Sequence, residues 1–240
     1  MKTENKYSQC SYNALATVLN HFYGEYSVED DTWALENGKP KKTKDGFFLN
    51  NLPSEYKGYY GWIPYAQYFL DEMAENCKEW NGQKIDVDYE TFSISGGEIT
   101  FAGVSNTNAG PLNVYDIKFK DGELEGITKG LSEKLNDGPC FLWIPWAAHW
   151  GNVWKTENGY RTGAMPNVTH AIVLESYDAE KNVFKISDNA VLNGNFDVTP
   201  EDLITKLLAM PELQKERDKR GVTLKGIEGT KYHTHVKKKD

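Results

Sequence analysis

The sequence predicts an α+β chain, and three stretches carry that prediction. Tyr7 to Asn20 turns an irregular start into an amphipathic helix. Gly126 to Ile144 reads as a helix that runs straight into a buried strand, and Thr169 to Asn189 reads as an antiparallel β-hairpin. A helical period that gives way to strand-like alternation within one chain is the mark of a mixed fold.

The first helix is defined by Ala14, Leu15, Val18, Leu19 and Phe22, which recur at helical spacing. Ser8 is placed to cap its start and Gly24 to stop it. Cys10 then falls in the first turn, where unpaired N–H groups and the positive end of the helix dipole converge. A thiolate is stabilised there, which makes a cysteine nucleophilic near neutral pH. The plain alternative is a small buried thiol, as most free cysteines are.

Further along, Tyr26 to Asp30 reads as a turn, leading to a short second helix through Trp33-Ala34-Leu35. Asn37 to Asp45 is rich in Lys and Gly and is expected as an exposed loop. The aromatic segment Phe47 to Tyr60 has no clear period. Loop insertions are accordingly expected near 37–60 and 93–111, within a single domain over 1–240. Gly61-Trp62-Ile63-Pro64 opens another helical pattern, with Pro64 in the first turn, and Cys77 ends it. Ile85 to Tyr89 and Val114 to Phe119 alternate like strands. Between them, Ser93 to Pro111 is dense in Gly, Ser, Asn and Thr and reads as loop; its Gly96-Gly97 pair reads as a turn.

The helix from Gly126 ends at Gly138-Pro139, and Cys140 to Ile144 follows as a buried strand. A Trp-rich loop spans Trp146 to Trp154. The chain closes on Lys237-Lys238-Lys239, expected as a frayed tail, with His233 and His235 solvated beside it.

Bulk composition excludes several function classes. The 240 residues carry 27 basic and 35 acidic side chains, a net charge of −8, with no basic patch outside the final lysines. Nucleic-acid and anionic-membrane binding are disfavoured on that ground. No apolar run is long enough for a membrane span, and no signal-peptide pattern opens the chain. The expected location is secreted or cell-surface if a leader has been removed, and cytoplasmic otherwise. Cys10, Cys77 and Cys140 are an odd number at distant positions, without zinc-ligand spacing. No metal and no cofactor are expected, and a monomer is.

The hairpin supplies the second half of a candidate site. With its turn centred between Ala179 and Glu180, His170 at the start of one strand lies opposite Asp188 or Asn189 at the end of the other. An imidazole beside a carboxylate or amide is the base-plus-orienter half of a nucleophilic triad. The plain readings are a strand-end histidine and a turn aspartate. Cys10, His170 and Asp188 together favour the triad.

His149, in Ala147-Ala148-His149-Trp150, is a rival base, but Gly151-Asn152 follows it rather than an apolar strand, so it ranks second. His21 is expected to bond a carbonyl late in the first helix. Trp62, Trp146, His149 and Trp150 are candidates to line a cleft, with packing in the core as the plain alternative.

In order along the chain, Gln9-Cys10 with its helix, Gly61-Trp62-Ile63-Pro64, Leu135-Asn136-Asp137-Gly138-Pro139 and the His170 to Asp188 hairpin resemble the papain-like cysteine peptidases. The chain looks closest to the bacterial C39-like peptidase group. The resemblance implies a papain-like α+β fold, with the N-terminal helix carrying the cysteine packed against a mostly antiparallel β-sheet. It implies a thiol protease whose substrate is a peptide or another amide. Cys10 would be the nucleophile, His170 the base and then acid, and Asp188 the orienter of His170. The oxyanion would be held by the Cys10 N–H and a side-chain amide. The family sets its oxyanion glutamine several residues before the cysteine, where this chain has Glu4 and Asn5. Gln9 and Asn5 are therefore the candidate oxyanion donors, with Asn189 as a further orienting amide. Ser11 stands where the family has Gly. An acyltransferase using the same triad, or a catalytically silent module holding a peptide or glycan, is the alternative.

Overall fold

The computed structural model describes residues 10–24, 35–36, 39–40, 79–80, 83–107, 110–145, 153–165, 169–188, 195–219 and 233–239. In chain order these form helix α1 (Cys10–Tyr23), strands β1 (Leu35–Glu36), β2 (Lys39–Pro40), β3 (Glu79–Trp80) and β4 (Gln83–Lys84), then β5 (Val87–Phe92), β6 (Glu98–Thr107) and β7 (Gly110–Lys118). Helix α2 (Glu123–Lys134) leads to β8 (Cys140–Pro145), β9 (Val153–Thr156), β10 (Gly159–Ala164), β11 (Thr169–Asp178), β12 (Val183–Ser187) and β13 (Asn195–Val198). Helix α3 (Pro200–Lys219) and strand β14 (His233–Lys238) complete the set.

The fold is mixed, and every strand pairing among the described residues is antiparallel. A six-stranded sheet has the order β13-β12-β11-β8-β14-β5, and a four-stranded sheet has the order β6-β7-β10-β9. One hydrophobic cluster joins them through α3. It takes Cys140, Leu142 and Ile144 of β8, Ile172 and Leu174 of β11, Tyr115 and Ile117 of β7, and Leu203, Ile204, Leu207 and Leu208 of α3. These strand residues alternate, as one face of a pleated sheet requires. Helix α1 packs against β11 and β8 and buries Ala14, Val18, Leu19 and Tyr23, none of which belongs to that cluster. Alternation thus assigns Ala171 and Val173 to the face that α1 covers, opposite α3. All six residues of β8 are buried, because both of its faces are covered.

Helix α1 ends as its sequence predicts. Gly24 adopts φ +82° and its N–H donates to the Asn20 carbonyl at 3.0 Å, the left-handed stop that glycine makes easy. The helix expected from Gly126 begins earlier, at Glu123, and ends at Lys134 before a turn. Glycine at 138 is required by close approach. At φ +157°, a Cβ there would stand 2.1 Å from the Val236 carbonyl oxygen and 2.9 Å from Phe22.

Several expectations are overturned. Leu35 lies in β1, paired with Pro40, rather than in a second helix, and Lys39-Pro40 is a strand within the segment expected as loop. Ser93 to Pro111 is not a loop insertion. Most of it is β6, paired with β7 from Glu98↔Lys118 to Thr107↔Gly110. Its residues are almost all exposed on both faces, so no apolar alternation marks it. Val153 and Trp154 begin β9 rather than ending a loop.

The C-terminal stretch is the largest correction. His233 to Lys238 is not a frayed tail but β14, inserted between β8 and β5, and His233, Thr234, His235 and Val236 are buried. Two of the final lysines have partners, Lys238 over the Tyr23 ring at 5.6 Å and Lys239 beside two acids. Lys239 Nζ lies 3.7 Å from Asp86 and 3.6 Å from Asp88, so the basic end of the chain is matched to acids in and just before β5.

The expected helix from Trp62 to Cys77 lies outside the described residues, as does most of the expected insertion at 37–60. Among the described residues no helix is long and apolar enough to cross a membrane.

Candidate active site

The hairpin brings His170 and Asp188 together through its own local chemistry. Its turn is built by Asp178, whose Oδ1 accepts the N–H groups of Glu180 and Lys181, each at 3.1 Å. This is the backbone mimicry for which Asp suits turns. Asn182 takes φ +54°, a conformation Asn tolerates better than most residues, and its side-chain oxygen accepts from the Tyr177 hydroxyl at 2.7 Å.

The turn is thereby centred between Glu180 and Lys181, one residue later than expected, since Asp178 pairs with Val183. A bulge between Leu174 and Ser176 takes one residue back, and the ladder ends at Val173↔Ser187. Asp188 therefore does not face His170 directly. It stands one residue past the last pair and meets His170 as a diagonal neighbour, a distance that side chains readily span.

The contact is close. His170 Nε2 lies 2.6 Å from Asp188 Oδ1. His170 is 6% exposed and Asp188 is fully buried. A carboxylate without solvent must have a partner, because an isolated buried charge is prohibitively costly. Pairing through Nε2 also fixes the imidazole: with Nε2–H donating to the carboxylate, the lone pair of the neutral ring is on Nδ1. Strand pairing holds both residues in place. His170 is the second residue of β11, paired with Ile144 near the end of β8, and Asp188 leaves β12, which β13 flanks.

Cys10 is the first residue of α1, so its backbone occupies the helix start that the sequence predicts. The side chain of Cys10 lies outside the described residues, as do Asn5, Gln9, Trp62, Trp146, His149, Trp150 and Asn189. His21 is exposed on α1, with its ring set edge-on to Phe22 at 4.9 Å.

Other titratable groups are buried on neighbouring elements. Cys140 is fully buried in β8, and burial pushes its thiol up to about 12, which leaves it protonated and inert at neutral pH. His233 is buried in β14, where its Nδ1 accepts the Trp143 backbone N–H at 3.3 Å; burial pushes it down to about 3. Lys206 of α3, which sequence reading passed over, is also buried, and burial lowers its ammonium to about 8 against the pull of Asp202 one turn earlier. A signal for α3 does exist in Thr199-Pro200-Glu201-Asp202. It combines a capping hydroxyl that accepts the Asp202 N–H at 3.2 Å, proline at the first position and acids in the first turn. Among the described residues no group of three or more His, Cys, Asp and Glu could hold a metal ion. Comparison of the chain with protein-family models, with curated proteins and with solved structures gives no match.

Proposed function

We propose that the protein is a cysteine-dependent hydrolase of amide bonds, a papain-like peptidase of the C39-like kind, working through Cys10, His170 and Asp188. The observation that carries this reading is the buried His170–Asp188 pair, set on the strand against which the Cys10-bearing helix packs. Helix α1 lies on the Ala171 and Val173 face, whereas alternation sets His170, at the beginning of β11, on the opposite face with Ile172 and Leu174. A meeting of thiol and ring would therefore take place around the end of the sheet, beside Thr169 and Pro145.

In this reading His170 Nδ1 takes the thiol proton and the Cys10 sulfur attacks the substrate carbonyl carbon. The oxyanion is held by the Cys10 backbone N–H at the start of α1 and by an amide from Gln9 or Asn5. The imidazolium, stabilised by Asp188, returns its proton to the leaving amine as the C–N bond breaks. Water then opens the thioester with His170 again as base. Acyl transfer differs only in replacing that water with an amine.

The test is the rate at which iodoacetamide alkylates each cysteine, read by peptide mass spectrometry across pH. Cys10 should react fastest, and His170→Gln, which keeps a donor for Asp188 but cannot move a proton, should slow it at least tenfold. Equal rates at Cys10 and Cys77 would overturn the enzyme reading in favour of a silent binding module.

A further inference from the structure

We propose that the outer edge of β6 is an association surface on which two copies of this chain pair, strand to strand, about a two-fold axis. Among the described residues the two large sheets have four edges, which differ in how they are protected. β13, β5 and β9 are four, six and four residues long, and each carries a charged side chain within its run: Asp197, Asp88 with Glu90, and Lys155. Short edges, charged side chains within the run and bulges are devices that prevent strands from adding to one another, and of these β6 has only the bulge. β6 is ten residues long, and after Glu98 at its start it has no charged residue and no proline.

The exposed apolar side chains on this strand are arranged together. Phe101 is 53% exposed and Val104 is 58% exposed. Three residues apart, they would lie on opposite faces of a regular strand. The bulge between Phe101 and Gly103 changes that, because Phe101 pairs with Tyr115 and Val104 with Asn113, two positions on one face of β7. The bulge thus makes one apolar patch out of two separate residues.

The edge is also self-complementary. Set antiparallel to its copy with the axis between Ala102 and Gly103, each Phe101 faces the other copy's Val104, and each Glu98 faces an uncharged Thr107. At the axis stand only the methyl group of Ala102 and the bare Cα of Gly103, which leave room for the bulges. No like charges oppose one another, and the peptide groups of β6 that point away from β7 would pair with those of the copy. The two four-stranded sheets would then form one continuous sheet with a shared Phe101–Val104 cluster on one face.

Light scattering on the full chain after size exclusion, over a range of concentrations, tests this. The expected mass is twice the 27.3 kDa of one chain, with Val104→Lys and Phe101→Lys each weakening the dimer at least tenfold. Amide exchange of Glu98 to Thr107 should slow as concentration rises, a readout that needs no variant. A chain that stays monomeric at 100 μM or more, on the order of the weakest specific pairings, overturns the proposal. So does a dimer that both lysine variants leave intact, or one in which β6 exchanges no more slowly.

Discussion

The Nε2 of His170 and the Oδ1 of Asp188 are joined at 2.6 Å in a setting that water scarcely reaches. The pair is asymmetric, because Asp188 is fully buried whereas His170 keeps slight exposure. Removing the imidazole takes a close donor from a fully buried carboxylate; removing the carboxylate takes an acceptor only from a neutral N–H. His170→Ala should therefore cost roughly 3–5 kcal/mol in urea denaturation, and Asp188→Asn only about 1–3 kcal/mol. His170→Gln, with an amide donor for the carboxylate, should recover part of the loss. A His170→Ala protein as stable as the parent would show that Asp188 is not held as an anion by this ring.

The thiol of Cys140 leads to an expectation of the opposite kind from that of Cys10. It is fully buried in the central strand β8, and desolvation raises its pKa to about 12. Its alkylation should occur only through unfolding, at a rate that follows denaturant concentration as the global stability does. Labelling of Cys140 in native buffer at a rate near that of a free thiol would contradict its placement.

What could be read from the sequence was what is local or strongly buried. α1 shows an apolar period because one face meets the core, and β8 and the start of β11 show apolar runs because both of their faces are covered. The His170–Asp188 meeting was legible because only eighteen positions separate the two residues; its diagonal offset was not, since it depends on a bulge at Glu175 and on how Asp178 closes the turn. β6 escaped notice because it is exposed on both faces. β14 did so because histidines and lysines alternate with Thr and Val, and a short polar strand is recognisable only from the acids and backbone of β5 that receive it. The approach of α1 to β11 is a long-range event, which no spacing along the chain encodes.

Glycine 138 tests how tightly the last strand is seated. A methyl group there would stand 2.1 Å from the Val236 carbonyl oxygen, on backbone at φ +157°. The neighbouring Pro139 carbonyl accepts the Val236 N–H at 3.1 Å, so neither side can retreat without breaking the junction of β8 and β14. Gly138→Ala should destabilise the fold by about 3 kcal/mol or more, through overpacking and backbone strain together. Gly126→Ala, in α2 with nothing within 4 Å of its Cβ position, should instead be neutral or stabilise by up to about 1 kcal/mol. Equal effects of the two substitutions would refute the close contact.

Acid should loosen the same strand. His233 is neutral in the fold, with Nδ1 accepting the Trp143 N–H, and burial takes it from 6.5 down to about 3. His235 is lowered as well, first by burial and then by Lys134, with Glu90 opposing both. A lowered histidine gives its full contribution above the unfolded value of 6.5 and loses it progressively as pH falls towards the folded value. For His233 the loss at pH 5 is about 2 kcal/mol. Glu90, Asp116 and Asp178 are held below their ordinary values by Lys134, Arg161 and Lys181. Their contributions fall in the same direction, but only as pH drops through the carboxylate range. The interval between pH 6.5 and 5 is therefore where histidine is seen. Denaturation midpoints across it should drop for the parent and flatten for His233→Gln, which offers Trp143 an amide oxygen but does not titrate. A variant whose midpoint falls as steeply as the parent's would remove His233 as the origin of the acid sensitivity.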